Sequence, residues 1–247
     1  MTASVERPGS TETTPAEETQ QRRGSRVNAT RERILSTAER LFAEHGIGAV
    51  SNRLVSDEAG QGNNAAVGYH FGTKVDLVRA IARRHNGDIE ERRNQLVART
   101  RYSPEIRDWV ACLVRPLTDH LDSLAAPTWF ARFGAQLMTD PGYRHIMEQD
   151  ALETPALREL LAGLDRCLPD LPAEVRAERD DMARQLLVHT LSERERALAE
   201  GRPTTRSSWQ DAGTGVIDAI TGLWLAPYTP AAGPDRAPDP GDTTDSD

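Results

Sequence analysis

An all-α fold is predicted by three observations. Apolar side chains recur at helical spacing along most of the chain, and no segment alternates convincingly at period 2. Aromatic residues make up only 5% of the composition beside 28% charged residues, a balance that suits helices better than a sandwich or barrel. With 247 residues the chain can form one sizeable core, or a small domain joined to a larger one. No apolar run approaches the roughly 20 residues that span a bilayer, so no membrane partner is expected. The N-terminus is rich in Thr, Glu and Ser and lacks the apolar centre of a secretory signal, which predicts a cytoplasmic protein. Cys112 and Cys167 stand in apolar surroundings with no second Cys or His at ligand spacing. They read as buried thiols in a reducing compartment, and neither a metal nor a cofactor is expected.

Residues 1–27 are polar and read as a disordered arm. Its Arg22, Arg23 and Arg26 are placed either to follow a DNA backbone or minor groove or simply to remain solvated. The first helix, "NATRERILSTAERLFAEHG", offers Asn28 and Thr30 as caps and sets Ile34, Leu35, Ala38, Leu41 and Phe42 on one face. His45 and Gly46 end it. A short helix from Asn52 to Ala59, a turn at Gly60 and a helix from Asn63 to Phe71 then have the layout of a helix-turn-helix, with Leu54, Val55, Ala59, Val67 and Phe71 as its core. After Gly72, Thr73 caps a fourth helix, with Asp76 as the acidic half of a capping box. Leu77, Val78 and Ile81 face inward, Ile89, Leu96 and Val97 continue the stripe, and Gly87 is a candidate kink. Six further helices are expected: Pro104 to Leu124 with a bend at Pro116, Thr128 to Asp140, Tyr143 to Asp150, Pro155 to Leu168, Ala173 to Glu200 and Ser208 to Ala226. From Tyr228 the chain reads as a disordered acidic tail, residues 228–247.

Charge is divided between these parts. The formal net charge is −8, yet residues 22–101 hold 15 Lys and Arg against 9 Asp and Glu, or +6, which leaves −8 − 6 = −14 for the rest. Phosphate attraction acts over a Debye length of about 8 Å, so a basic module on an acidic body can still meet nucleic acid. Arg-rich helix faces are also commonly just solvated.

"TRERILSTAERLFAEHG", the turn at "EAG" and "YHFGTKVDLVRAI" together resemble the N-terminal domain of the TetR family of bacterial transcriptional regulators, over about Thr30 to Ile81. The stretch from Gly60 to Phe71 is one residue longer than the common pattern, and Gly68 stands where many members carry an aromatic. The resemblance implies a three-helix helix-turn-helix domain over residues 28–84, followed by a helical ligand-binding and dimerisation domain over residues 85–227.

Asn63 and Asn64 open the expected recognition helix, where side chains reach base edges; an Asn amide can pair with adenine N6 and N7, and it also makes a good cap. Ala65 and Ala66 would let the helix lie close and touch a thymine methyl. Tyr69, His70 and Lys74 match family positions that hold phosphate oxygens. Thr73 and the opening N–H groups of the fourth helix add an anion-binding end, and Ser51, Asn52 and Arg53 are further backbone contacts.

The resemblance also implies a homodimer that faces a palindromic operator on double-stranded DNA and is released by an unidentified small-molecule effector. Leu186, Leu187, Thr190 and Leu191, with Val216, Ile217, Ile220, Leu223 and Trp224, form the stripes that would pair across the dimer. Trp109, Leu113, Leu117, Trp129, Phe130, Phe133, Met138 and Met147, beside Cys112 and Leu137, are the candidate ligand-binding set, with His120 and His145 as polar handles. Catalysis is not expected. HExxH, GxSxG, P-loop and CxxC patterns are absent, "GTGVID" lacks a preceding strand and a third Gly, and Asp88, Glu90 and Glu91 lack distant partners. The competing reading is a helical scaffold or adaptor whose helix-turn-helix binds protein; its duplex binding would show little salt dependence.

Overall fold

The computed structural model describes residues 15–62, 65–145 and 154–230. Among the described residues it is helical and has no strand. The helices are α1 (Pro15–His45), α2 (Asn52–Glu58), α3 (Ala66–Phe71), α4 (Lys74–Thr100), α5 (Ile106–Ser123), α6 (Phe130–Thr139), α7 (Pro155–Cys167), α8 (Ala173–Ala199) and α9 (Trp209–Leu225), and residues 141–145 are also helical.

Helices α1 to α3 and the opening turns of α4 form a small head. Ile34, Leu35, Ala38, Leu41 and Phe42 are all buried, as their spacing predicts, and they meet Val55, Val67, Leu77, Val78 and Ile81. Leu54 departs from expectation at 39% exposed, because Val55, one residue on, takes the inward position of this short helix. Gly60 and Gly72, at φ 66° and 86°, make the turns on either side of α3; a residue with a Cβ is disfavoured there.

α1 begins at Pro15, so residues 15–27 of the expected disordered arm are helical, while residues 1–14 lie outside the described residues. The physical reason is local: "PAEETQQRR" opens with Pro at the first helical position and continues with strong helix formers. The expected tail from residue 231 onward also lies outside the described residues. α4 runs unbroken through Gly87, and α5 through Pro116.

The opening of α4 is fixed by a full capping box. The Thr73 hydroxyl oxygen accepts from the Asp76 N–H (3.2 Å), and Asp76 Oδ2 accepts from both the Thr73 N–H (3.0 Å) and its hydroxyl (2.6 Å). Thr73→Ala is expected to lower stability by about 1 kcal/mol, readable as a shift in urea midpoint without a change of slope.

α4 carries the chain out of the head and packs on α5, which in turn packs on α9. α1 reaches α6, where the Phe42 and Phe133 rings stack with centroids 6.3 Å apart. Arg115 of α5 donates to the Gln210 carbonyl and the Thr214 hydroxyl of α9, both at 2.7 Å. Arg179 of α8 donates to the Trp224 carbonyl (2.8 Å). The apolar stripes of α8 and α9 turn largely into the chain's own core: Leu187, Leu191, Val216, Ile217, Ile220 and Trp224 are buried, Leu186 and Leu223 are half-buried, and Thr190 is exposed. The glycines of "GTGVID" lie inside α9, a helix rather than a phosphate-binding loop.

Candidate nucleic-acid interface

The exposed surface of the head is built by α2, the turn at Gly60 and α3. Ser51 caps α2, its Oγ accepting from the Leu54 N–H at 3.1 Å. Arg53 projects from the first turn with its side chain 76% exposed, 3.7 Å from Asp57. Asn52 is half-buried, and its Oδ1 is buried with no hydrogen-bond partner among the described residues. Asn63 and Asn64 lie outside the described residues. Helix α3 begins at Ala66 rather than at the expected Asn63, with exposed Ala65 at its cap.

On this surface Tyr69 is 83% exposed, its ring edge-on to His70 at 5.0 Å. Burial drives aromatic rings inward, so an aromatic left this open offers a partner an apolar, flat face and a polar hydroxyl tip. His70 is half-buried, and its carbonyl accepts from Arg31 Nη1 (3.0 Å) while the guanidinium lies 4.3 Å from the Phe71 centroid. Arg31 thus ties α3 to α1, a role that sequence could not show because the partners are 39 residues apart.

Two of the expected phosphate ligands are otherwise engaged. Lys74 Nζ lies 3.5 Å from the Gly48 carbonyl and 5.8 Å from the Phe42 centroid. Burial pulls its pKa below the usual lysine value, Asp140 partly opposing. At the start of α4 the Asp76 carboxylate occupies the helix end that Thr73 was expected to offer an anion, and its hydrogen bonds from Thr73 hold it below the ordinary carboxylate range. Positive charge gathers beside this end instead: Arg31, Arg79, Arg83 and Arg84 line a cleft of about 550 Å³ between α1 and α4, together with Glu32 and Asp76.

In the body, Trp109, Phe130 and Phe133 are buried, whereas Leu113, Leu117, Trp129 and Met138 are half-buried. Met147 lies outside the described residues. Cys112 is buried beside the Thr100 hydroxyl (3.4 Å), and burial raises its thiol pKa. His145 is exposed, while His120 is buried where α4, α5 and α6 meet.

A capped helix, a glycine turn and a short helix carrying an exposed tyrosine, set on a basic head with an acidic helical body, define a helix-turn-helix DNA-binding protein. Residues 34–81 match the family described as bacterial regulatory proteins, tetR family, and residues 111–222 match the tetracyclin repressor-like C-terminal domain. The HTH-type transcriptional repressor AcnR of Corynebacterium glutamicum is 30% identical over 166 residues, 62% of this chain and 76% of that protein. AcnR of Corynebacterium diphtheriae is 29% identical over 159 residues, 59% of this chain and 72% of its own length. Among solved structures, the TetR family transcriptional regulator PfmR from Thermus thermophilus is 17% identical with a TM-score of 0.47, covering 77% of this chain and 96% of that one. The chain belongs to the TetR family and is a DNA-binding transcriptional regulator, not an enzyme. No described helix is long and apolar enough to cross a membrane.

Proposed function

We propose that this regulator is a cytoplasmic repressor that binds a palindromic operator as a homodimer and is released when a small molecule fills its body. The observation that carries the reading is the head surface around α3, where Tyr69 is 83% exposed and Arg53 stands free of the core. The head, residues 28–84, reads DNA, and the body, residues 85–227, senses and dimerises. Both AcnR relatives are named as transcriptional repressors, which supports repression as the outcome of binding.

In this reading Arg53 and Tyr69, with Ser51, Asn52 and His70 around them, hold phosphates, while Asn63, Asn64 and Ala65 meet base edges. Lys74, bent over Phe42, contributes less than the more exposed Arg53. An effector enters among Leu113, Leu117, Trp129 and Met138, whose partial exposure leaves them able to repack. It acts only through a better fit to the conformer that suits DNA poorly.

Selection of bound duplexes from fragmented source DNA tests this. The wild type is expected to recover a palindrome, and the double variant Asn63→Ala, Asn64→Ala is expected to lose it. Arg53→Ala should weaken binding to every duplex about equally and reduce the salt slope by about 1, while Asn64→Ala relaxes a single base position. Recovery of no shared sequence by the wild type would sink the operator reading.

A further inference from the structure

A chain of four polar side chains runs through the junction of head and body. Glu39 of α1 lies 3.1 Å from His85 Nε2; His85 Nδ1 lies 2.8 Å from His120 Nε2; His120 Nδ1 lies 2.7 Å from Asp88 Oδ2. Glu39, His85 and His120 are 6%, 5% and 5% exposed, whereas Asp88 is nearly half-exposed at its side chain and accepts from Arg92 at 2.8 Å. Phe130 of α6 stacks on His85 at 4.2 Å and meets His120 edge-on at 5.3 Å. Three helices of the body and one of the head therefore meet on two imidazoles.

Counting protons gives this arrangement its consequence. Three hydrogen bonds need three protons. Two neutral histidines facing two carboxylates supply only two: if each imidazole donates to its own carboxylate, the two remaining ring nitrogens confront each other at 2.8 Å with a lone pair apiece. The third proton completes the chain whether it sits between the rings or on Glu39, with every donor then turned toward Asp88. The four residues form one hydrogen-bonded unit that shares its protons.

We propose that this tetrad is a binding site for one proton, and that the bound proton locks α1 of the DNA-reading head to α4 and α5 of the body. Without that proton one of the three bonds is lost, either between the two rings or between Glu39 and His85, and each loss loosens α1 from the α4–α5 pair. Phe130, stacked on His85 and edge-on to His120, registers the change, so α6 follows the state of the head-to-body joint. Asp88 gives the buried site its access to solvent.

The charged groups around the site set its working range. From α1 come Glu39 and Glu32, both within 4 Å of Arg84; α4 adds Arg84, Asp88 and Arg92; α5 adds Arg115 and Asp119. α9, packed on α5, brings Asp211 and Asp218, but these are engaged by Ser207, Ser208 and Arg107. α6 contributes the Phe130 ring. Burial, the largest influence on His120, draws it below the ordinary histidine range; the Asp88 hydrogen bond opposes this and His85 adds to it. His120 therefore takes up a proton only on the acid side of the ordinary histidine range.

The test uses the full chain with ¹⁵N-labelled histidine and tryptophan, followed by NMR between about pH 5 and pH 8 without DNA. The expected result is a single proton taken up by the His85 and His120 rings together, a Trp129 indole signal that shifts at the same midpoint, and loss of the His85 step in His120→Gln. Two rings that titrate independently, rings that do not titrate, or a His85 step unchanged in His120→Gln would each overturn the proposal. Should His120→Gln not fold, His85→Gln and the proton count in the wild type decide it. A second arm measures affinity for the duplex selected by the wild type. One linked proton changes affinity by up to about tenfold per pH unit, and His120→Gln should flatten that change. Wild-type affinity that is flat with pH would refute the coupling. Failure of operator selection would leave the NMR result standing, so the two readings fail separately.

Discussion

Replacing Glu195 by Ala is expected to lower the unfolding free energy by about 3–5 kcal/mol, the cost of leaving a buried charge unpaired. Glu195 lies on α8 and is 2% exposed. Its carboxylate accepts from the Thr128 hydroxyl (2.8 Å), the Ala131 N–H (3.1 Å), the Arg132 N–H (2.9 Å) and Arg132 Nε (3.1 Å). Two of these donors are backbone groups in the first turn of α6, which has no side-chain cap of its own. Glu195 thus caps another helix from across the core and neutralises a guanidinium that is itself 9% exposed. Among the described residues, the Arg132 guanidinium would keep its bond to the Thr128 carbonyl (2.8 Å) and no carboxylate partner. Glu193→Ala, at a position 64% exposed and 3.7 Å from Arg196, is the control and should fall within about 0.5 kcal/mol of wild type. Equal urea midpoints for the two variants would show that Glu195 does not hold α6 in place.

How much of this was legible in the sequence depends on whether the signal lay along one helix or between two. The helix order, the capping box at Thr73 and Asp76 and the apolar face of α1 are all local patterns, and the structure carries them. The polar groups that join the helices are not local. Glu39 and His85 are 46 residues apart, His85 and His120 are 35 apart, and Glu195 meets Arg132 across 63. A trace of them was present. Glu39 falls four residues after Leu35, His85 four after Ile81 and Glu195 four after Leu191, each on an otherwise buried stripe. A charged residue at such a position must find a partner from another helix, because an unpaired charge is costly to bury. Which partner it finds is tertiary information. The same limit applies to Lys74, whose position in the chain suggests phosphate but whose flexible stem lies along Phe42.

The candidate site was legible only in outline. Tyr69 and Arg53 were singled out by position and are exposed, whereas Arg31, Arg79 and Arg83 entered only through the net charge of the head. Their gathering in one cleft needs the packing of α4 against α1, which sets residues distant in the chain side by side. The chain thus has an arginine-lined cleft beside α3.

Trp109→Ala is expected to cost a comparable 3–5 kcal/mol, roughly, by loss of buried surface and the cavity left behind. The ring is fully buried; its Nε1 donates to the Ser103 carbonyl (3.1 Å), and the Arg166 guanidinium lies 5.4 Å from its centroid. α7 can approach this ring only because residue 163 is Gly, where a Cβ would overlap the Trp109 six-membered ring. The pair makes a prediction of sign rather than size. Gly is a poor helix residue, so Gly163→Ala should stabilise α7 by about 0.5–1 kcal/mol wherever space allows. In the wild type the space is occupied, and the substitution should destabilise. In the Trp109→Ala background the obstruction is gone, and the same substitution should stabilise. Denaturant unfolding of all four chains closes the cycle. The same sign in both backgrounds would mean that Gly163 is not there to admit Trp109. A reversal would make Trp109 a fixed wedge between α5 and α7, so that any effector must be accommodated by the half-buried Leu113, Leu117, Trp129 and Met138 rather than by this ring.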